Sequence, residues 1–179
     1  RKSLLPKDLL PEEHLPLKDL LDFSTAMRHL AQSYHRLDKH QDALPLAEEA
    51  LTICRSHLPR VHLGVASLLV CVSSIYRALD RLQDALALDE EVLAIRRHLL
   101  PAEHVQVAAA KGYLASTYSR LNRPTEALPL QEEALALYRR LLPAEHRSIA
   151  RAMANLAATY RALGRPADAL PLEDESLAL

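Results

Sequence analysis

The sequence is short of the residues that make tight turns and pleated sheets: three glycines, no tryptophan, one phenylalanine and six tyrosines among 179 residues. That supply argues against a strand-rich fold with many sharp turns. Cysteine is scarce too, with only Cys54 and Cys71. They lack the spacing of a metal motif and are too few for a disulfide framework, so both read as reduced thiols on helices. No apolar run reaches the ~18 residues of a membrane span, and no signal peptide is visible. Nor is there an excess of one charge: 22 basic residues stand against 23 acidic ones, for a net of −1. Nothing therefore pulls the whole chain toward nucleic acid or an acidic membrane. Catalytic signatures are missing as well, with no G-x-S-x-G elbow, no G-x-x-x-x-G-K-[ST] loop and no G-x-G-x-x-G turn. The chain reads as no enzyme, and no cofactor is expected.

What is present is a repeat. Hydrophobic residues make up 49% of the chain and charged ones 25%, enough to bury a core. "DALPLAEEAL" (42–51) returns as "EALPLQEEAL" (126–135) and "DALPLEDESL" (168–177), with "DALALDEEVL" (84–93) between them. The interval is 42 residues, kept by Tyr34, Tyr76, Tyr118 and Tyr160, by Ala43, Ala85, Ala127 and Ala169, and by His62, His104 and His146. Val107, Leu114, Tyr118 and Leu121 fall on one face of a helix. The same stripe is Phe23-Leu30-Tyr34-Leu37, Val65-Val72-Tyr76-Leu79 and Ile149-Leu156-Tyr160-Leu163 in the other units. Asp38, Asp80, Asn122 and Gly164 then suit a left-handed helix end, and Pro124 and Pro166 can open a second helix. Basic residues and a proline close that helix at "RRHLLP" (96–101) and "RRLLP" (139–143). Ala31, Ser73, Ala115 and Ala157 are expected to face the Ala43 series, letting the paired helices approach closely.

A two-helix unit with one apolar stripe per helix cannot bury itself, so neighbours must stack. The expected fold is all-α, a right-handed α-solenoid of about four helix-turn-helix units. The units are 23–64, 65–106, 107–148 and 149–179, the last one truncated, after an irregular segment at 1–22. "RKSLLP" (1–6) reads as the tail of a preceding unit, and the chain is expected to be a piece of a longer array. Interior prolines such as Pro129, sixth in its helix, are expected to bend it only near its start.

Leu-Ala-x-x-Tyr followed by the alanine of the second helix, as in "LAQSY…DALPLAEEAL", "LASTY…EALPLQEEAL" and "LAATY…DALPLEDESL", resembles the tetratricopeptide repeat. The period, 42 residues against the usual 34, is similar to that of the kinesin light chain type, as are "A-x-P-L" and the histidine that opens "HLGVA", "HVQVA" and "HRSIA", fourteen residues before each repeat tyrosine. The Asn-Asn pair of that type survives only as Asn155, and the aromatic usual after "PL" is replaced by Ala47, Asp89, Gln131 and Glu173. The resemblance implies a concave groove lined by the first helices and able to take acidic peptide segments.

Residue chemistry points to the same face. No acid occurs between 106 and 122 or between 148 and 164. At 100° per residue, Arg77, Arg120, Arg147, Arg151 and Arg161 fall opposite the core stripe, as do Arg28, His35 and Arg36. Gln32, Ser74, Ser116, Ser119 and Asn155 lie among them as hydrogen-bonding groups. The expected function is a non-enzymatic adaptor docking an acidic linear peptide of a protein partner through charge-assisted bonds. The alternative is a sensor or regulatory array of a larger signalling protein, such as a nucleotide-switch ATPase. Single-stranded RNA is a poor fit, since only Tyr113 offers a stacking surface near the groove. A cytoplasmic protein, either a monomer or weakly associated end to end, is expected. The repeated histidines sit one unit apart, too far to share an ion, and read as structural groups at helix starts. The pairs Glu48-Glu49, Glu90-Glu91 and Glu132-Glu133 read as a solvated outer face.

Overall fold

A computed structural model describes residues 16–177, and these form eight helices with no strand among them. The first helices of the four units are α1 (Leu17–Arg36), α3 (Leu63–Ala78), α5 (Val105–Arg120) and α7 (Arg147–Ala162). The second helices are α2 (His40–His57), α4 (Leu82–Leu99), α6 (Pro124–Leu141) and α8 (Pro166–Leu177). The 42-residue pattern is thus an all-α helical repeat, as the sequence requires. Helix α1 begins at Leu17, before the expected start of the first unit at Phe23. Residues 1–15, including "RKSLLP" and "LLPEEH", lie outside the described part.

The chain divides into two compact units, one through Arg81 and one from Leu82. In the first, α1 packs on α2 and α2 on α3; in the second, α4 through α8 pack each on the next. The small residues expected at the contacts between paired helices are buried. Ala31, Ser73, Ala115 and Ala157 are fully buried, as are Ala43, Ala85 and Ala127. Met153, Ile149 and Leu156 of α7 pack with Ala134, Leu135, Leu137 and Tyr138 of α6 in the core of the second unit. Burying each of the larger apolar side chains contributes about 1.5–3 kcal/mol.

One expected core stripe fails in part. Leu30 of α1 and Leu37 just after it are 47% and 67% exposed, whereas Val72, Leu114 and Leu156, the equivalents of Leu30, are buried. The second helices α2, α4 and α6 precede and pack on α3, α5 and α7. Among the described residues no helix precedes α1 to cover Leu30 as α2, α4 and α6 cover its equivalents.

Each first helix ends in one motif. Asp38, Asp80 and Asn122 take φ values of 58°, 59° and 56°, and Gly164 takes 71°. The next backbone N–H, from Lys39, Arg81, Arg123 or Arg165, donates to the carbonyl of Tyr34, Tyr76, Tyr118 or Tyr160 at 2.9–3.0 Å. This six-to-one closure satisfies a carbonyl that the helix end would otherwise orphan. Helix starts are equally regular. The Nδ1 of His62, His104 and His146 accepts from the backbone N–H of Gly64, Gln106 and Ser148 at 3.0, 3.0 and 3.1 Å. These histidines cap the helices themselves, in the manner of the Ser or Asn more usual there.

Candidate interaction surface

The joints between helices hold more than apolar contact. Tyr76 donates its phenol proton to Glu48 at 2.7 Å, Tyr118 to Glu90 at 3.2 Å and Tyr160 to Glu132 at 2.7 Å. Each bond runs from a first helix to the second helix of the preceding repeat. On the ring face stands the arginine of the helix-end motif: Arg81, Arg123 and Arg165 lie 4.1, 4.8 and 4.7 Å from the centroids of Tyr76, Tyr118 and Tyr160. The residue that usually makes an apolar contact in this motif here makes a cation–π contact. The hydrogen bond to Glu132 raises the Tyr160 phenol pKa above its usual value, with burial adding to it. For Tyr118 burial comes first and the bond to Glu90 second. The reading of the glutamate pairs as merely solvated is corrected accordingly. Their first members fasten the repeats, and Glu133 pairs with the buried Lys111 at 2.6 Å.

The expected groove residues of the first unit are largely engaged with near neighbours. Arg28 donates to His29 at 2.8 Å, and Arg77 donates to the Ser73 hydroxyl at 2.9 Å. The Ser74 hydroxyl turns back to the Cys71 carbonyl at 2.7 Å. His35 and His40 meet through their Nδ1 atoms at 3.1 Å. Burial lowers the His35 pKa, and the charges of His40 and Arg77 lower it further against a smaller opposing effect of Asp38. Gln32 is half-buried on the same helix, and Arg36 is exposed at its end. The Cys71 thiol is buried and pushed up to about 11 by desolvation, which makes it a poor nucleophile.

In the second unit, four of the expected residues converge. Ser116, Ser119 and Arg120 of α5 and Asn155 of α7 line a cavity of about 360 Å³. Asn122 after α5, Thr159 of α7 and Gln131 of α6 complete its polar wall, with Ala158, Ala162 and Pro124 as its apolar part. Arg120 is its one charged lining residue. The Ser119 hydroxyl lies 3.4 Å from that of Thr159 and accepts from the Gln131 amide at 3.5 Å. Arg161 is not available in the way expected, because it is paired with Glu173 of α8. Arg147 and Arg151 are exposed on α7 outside the cavity, and Arg151 donates to the Tyr138 phenol. Asp89, which stands where the resemblance leads one to expect an aromatic side chain, is 1% exposed and accepts from Thr117 at 2.6 Å.

Gln131 and Thr159 are the groove residues that reading the sequence passed over. Gln131 carried a signal, since it stands where an aromatic side chain is usual. Among the described residues no three His, Cys, Asp or Glu side chains converge as metal ligands, and no helix is long and apolar enough to cross a membrane.

Comparison with known proteins is consistent with this architecture. Tetratricopeptide repeat profiles match residues 24–63, 64–140 and 106–179. No curated protein sequence matches the chain. Among solved structures, the nearly identical TPR-like repeats described as a kinesin light chain of Podosopora anserina are 28% identical, with a TM-score of 0.81 over 93% of this chain and 76% of that one. BtubC (BKLC) from P. vanneervenii is 21% identical, with a TM-score of 0.82 over 93% of this chain and 65% of its own. A Rap protein complexed with competence and sporulation factor shares the fold at 16% identity and a TM-score of 0.76, over 88% of this chain and 43% of the Rap chain.

Proposed function

Because the chain belongs to the tetratricopeptide repeat family, in its kinesin light chain-like form, we propose that it is a non-enzymatic scaffold whose first helices bind an acidic linear segment of a protein partner. The carrying observation is the cavity between α5 and α7, where Arg120 stands among Ser116, Ser119, Asn155 and Thr159 and no carboxylate lines the wall. Neither α5 nor α7 contains an acidic residue. Two of their cations, Lys111 and Arg161, are neutralised by Glu133 and Glu173. The other cations of these two helices are Arg120, Arg147 and Arg151. An extended segment gains charge-assisted bonds from the arginines, while hydroxyls and carboxamides bond its backbone.

The test is fluorescence-polarisation binding of acidic, neutral and basic peptide pools across a salt titration. Acidic peptides are expected to bind, to weaken as salt rises, and to lose at least tenfold in affinity in the double variant Arg120→Glu/Arg147→Glu. Absence of binding to acidic peptides at low salt would sink this reading.

A further inference from the structure

Among the described residues the joint between successive repeats is left half-made at α1 and at α8. Leu170 and Leu177 of α8 are 59% and 88% exposed. Leu51, Leu93 and Leu135, the equivalents of Leu177, are buried, and Leu44, Leu86 and Leu128, the equivalents of Leu170, are half-buried. Leu135 and Leu128 pack in one core with Ile149, Met153 and Leu156 of α7, the next first helix. On α1 the complementary face is open at Leu30 and Leu37. The polar part of the joint is unmatched in the same places. Tyr34 stands in the register of Tyr76, Tyr118 and Tyr160, but the residue 28 positions before it is Pro6, where the others have Glu48, Glu90 and Glu132. Asp174 stands in the register of those glutamates and is exposed on α8. Lys39 takes the place of Arg81, Arg123 and Arg165. We infer that a second copy of the chain completes the joint. The α8 of one copy docks on the α1 of the next, Leu170 and Leu177 covering Leu30 and Leu37, and Asp174 accepting from the Tyr34 phenol.

Charge favours this head-to-tail pairing over a symmetric one. From Met27 to Arg36, α1 holds Arg28 and Arg36 and no acid, and Lys39 follows it. Helix α8 holds Asp168, Glu173, Asp174 and Glu175 and no basic residue. Two α1 faces would set cation against cation, and two α8 faces acid against acid; like charges brought together at an interface cost affinity. Only α1 against α8 opposes the signs. Glu173 and Glu175 are paired with Arg161 and Arg139 of their own copy, which leaves Asp174 of that acidic run for the neighbouring one. A heterologous contact of this kind leaves one face of each type open after every addition, so association continues past the dimer unless it closes into a ring. None of these residues lines the cavity of the second unit. Copies can therefore associate whether or not the groove takes an acidic peptide.

The test is sedimentation velocity of the full chain over a concentration series. The average mass of the wild type is expected to rise with concentration. Leu30→Glu/Leu37→Glu blocks the α1 face, and Leu170→Glu/Leu177→Glu blocks the α8 face. All four side chains are exposed, so circular dichroism is expected to show the fold kept in both. Each double variant alone is expected to stay monomeric where the wild type associates. Mixed in equal amounts, the two still offer one intact face of each kind, and are expected to form a dimer that grows no further. Tyr34→Phe removes only the phenol donor and is expected to weaken wild-type association about threefold or more. A wild type that stays monomeric throughout the series overturns the inference. So does association that survives in either double variant alone, or a mixture of the two that fails to combine. Association unchanged by Tyr34→Phe overturns the Tyr34–Asp174 bond.

Discussion

Removing the Tyr160–Glu132 bond tests whether the repeats are fastened by polar joints or only by their apolar cores. Tyr160→Phe takes away one O–H and leaves the ring, so the Arg165 guanidinium at 4.7 Å keeps its aromatic partner. Glu132→Ala removes the acceptor, which sits 2.7 Å from the phenol oxygen. A hydrogen bond to a charged group contributes about 1.5–3 kcal/mol net, but Glu132 is exposed, and solvent screening brings the expected coupling down to about 1 kcal/mol. The assay is a double-mutant cycle by urea unfolding. In thermal unfolding each single variant should fall by roughly 2–4 °C per kcal/mol for a chain of this size. Location matters as much as size. A repeat array is stabilised by nearest-neighbour interfaces, so amide exchange should quicken in α7 and α8 before α4 and α5. The raised phenol pKa adds a pH signature. A raised folded value means this contribution is complete below the unfolded value of about 10 and is lost as pH rises through the folded one. The wild type should therefore lose stability above about pH 10 more steeply than Tyr160→Phe. A coupling under about 0.3 kcal/mol, or exchange that rises equally in all helices, would refute polar fastening.

Other expectations follow from the helix ends and interiors. His104→Ala should cost about 1 kcal/mol, while His104→Asn, which keeps an acceptor for the Gln106 N–H, should recover most of it in urea unfolding. Ala87 is the sixth residue of α4, where α2, α6 and α8 hold Pro45, Pro129 and Pro171. Ala87→Pro should therefore cost less than about 1 kcal/mol against about 3 or more for Ala94→Pro in mid-helix; equal losses by calorimetry would contradict this. The lowered His35 pKa, set by burial, His40 and Arg77 against Asp38, makes the first unit's stability greatest above about pH 6.5 and declining below it. His35→Gln should flatten that decline in chemical unfolding followed at pH 5 and 7.5.

The helices themselves were legible because spacing encodes them. A strict 42-residue interval in tyrosine, alanine and histidine placed both helices, the left-handed turn residues and the alanine contacts. What spacing could not fix was which polar groups meet. Arg161 lies opposite the core stripe on its own helix, so it read as a groove cation. Only the rotation of α8 against α7 brings Glu173 onto it. The glutamates of the outer pairs were ambiguous for the same reason. Their tyrosine partners lie 28 positions away and across a connector, at Glu48–Tyr76, Glu90–Tyr118 and Glu132–Tyr160. Leu30 failed as a core residue for a different cause. Its stripe is as regular as the others, but burial is supplied by a neighbour and not by the helix that bears it.

The tyrosine joint has a consequence for how such a chain can lengthen. The second and third units each bring a tyrosine with its stacking arginine, Tyr76-Arg81 and Tyr118-Arg123, to receive the unit before, and a glutamate, Glu90 and Glu132, to hold the unit after. A gene segment copied in tandem at that period arrives with a socket at one end and a plug at the other. Gain or loss of one whole unit leaves every joint matched, wherever in the period the cut falls. A copy of any other length strands a tyrosine on one side and a glutamate on the other. The period is therefore protected by polar chemistry as well as by packing.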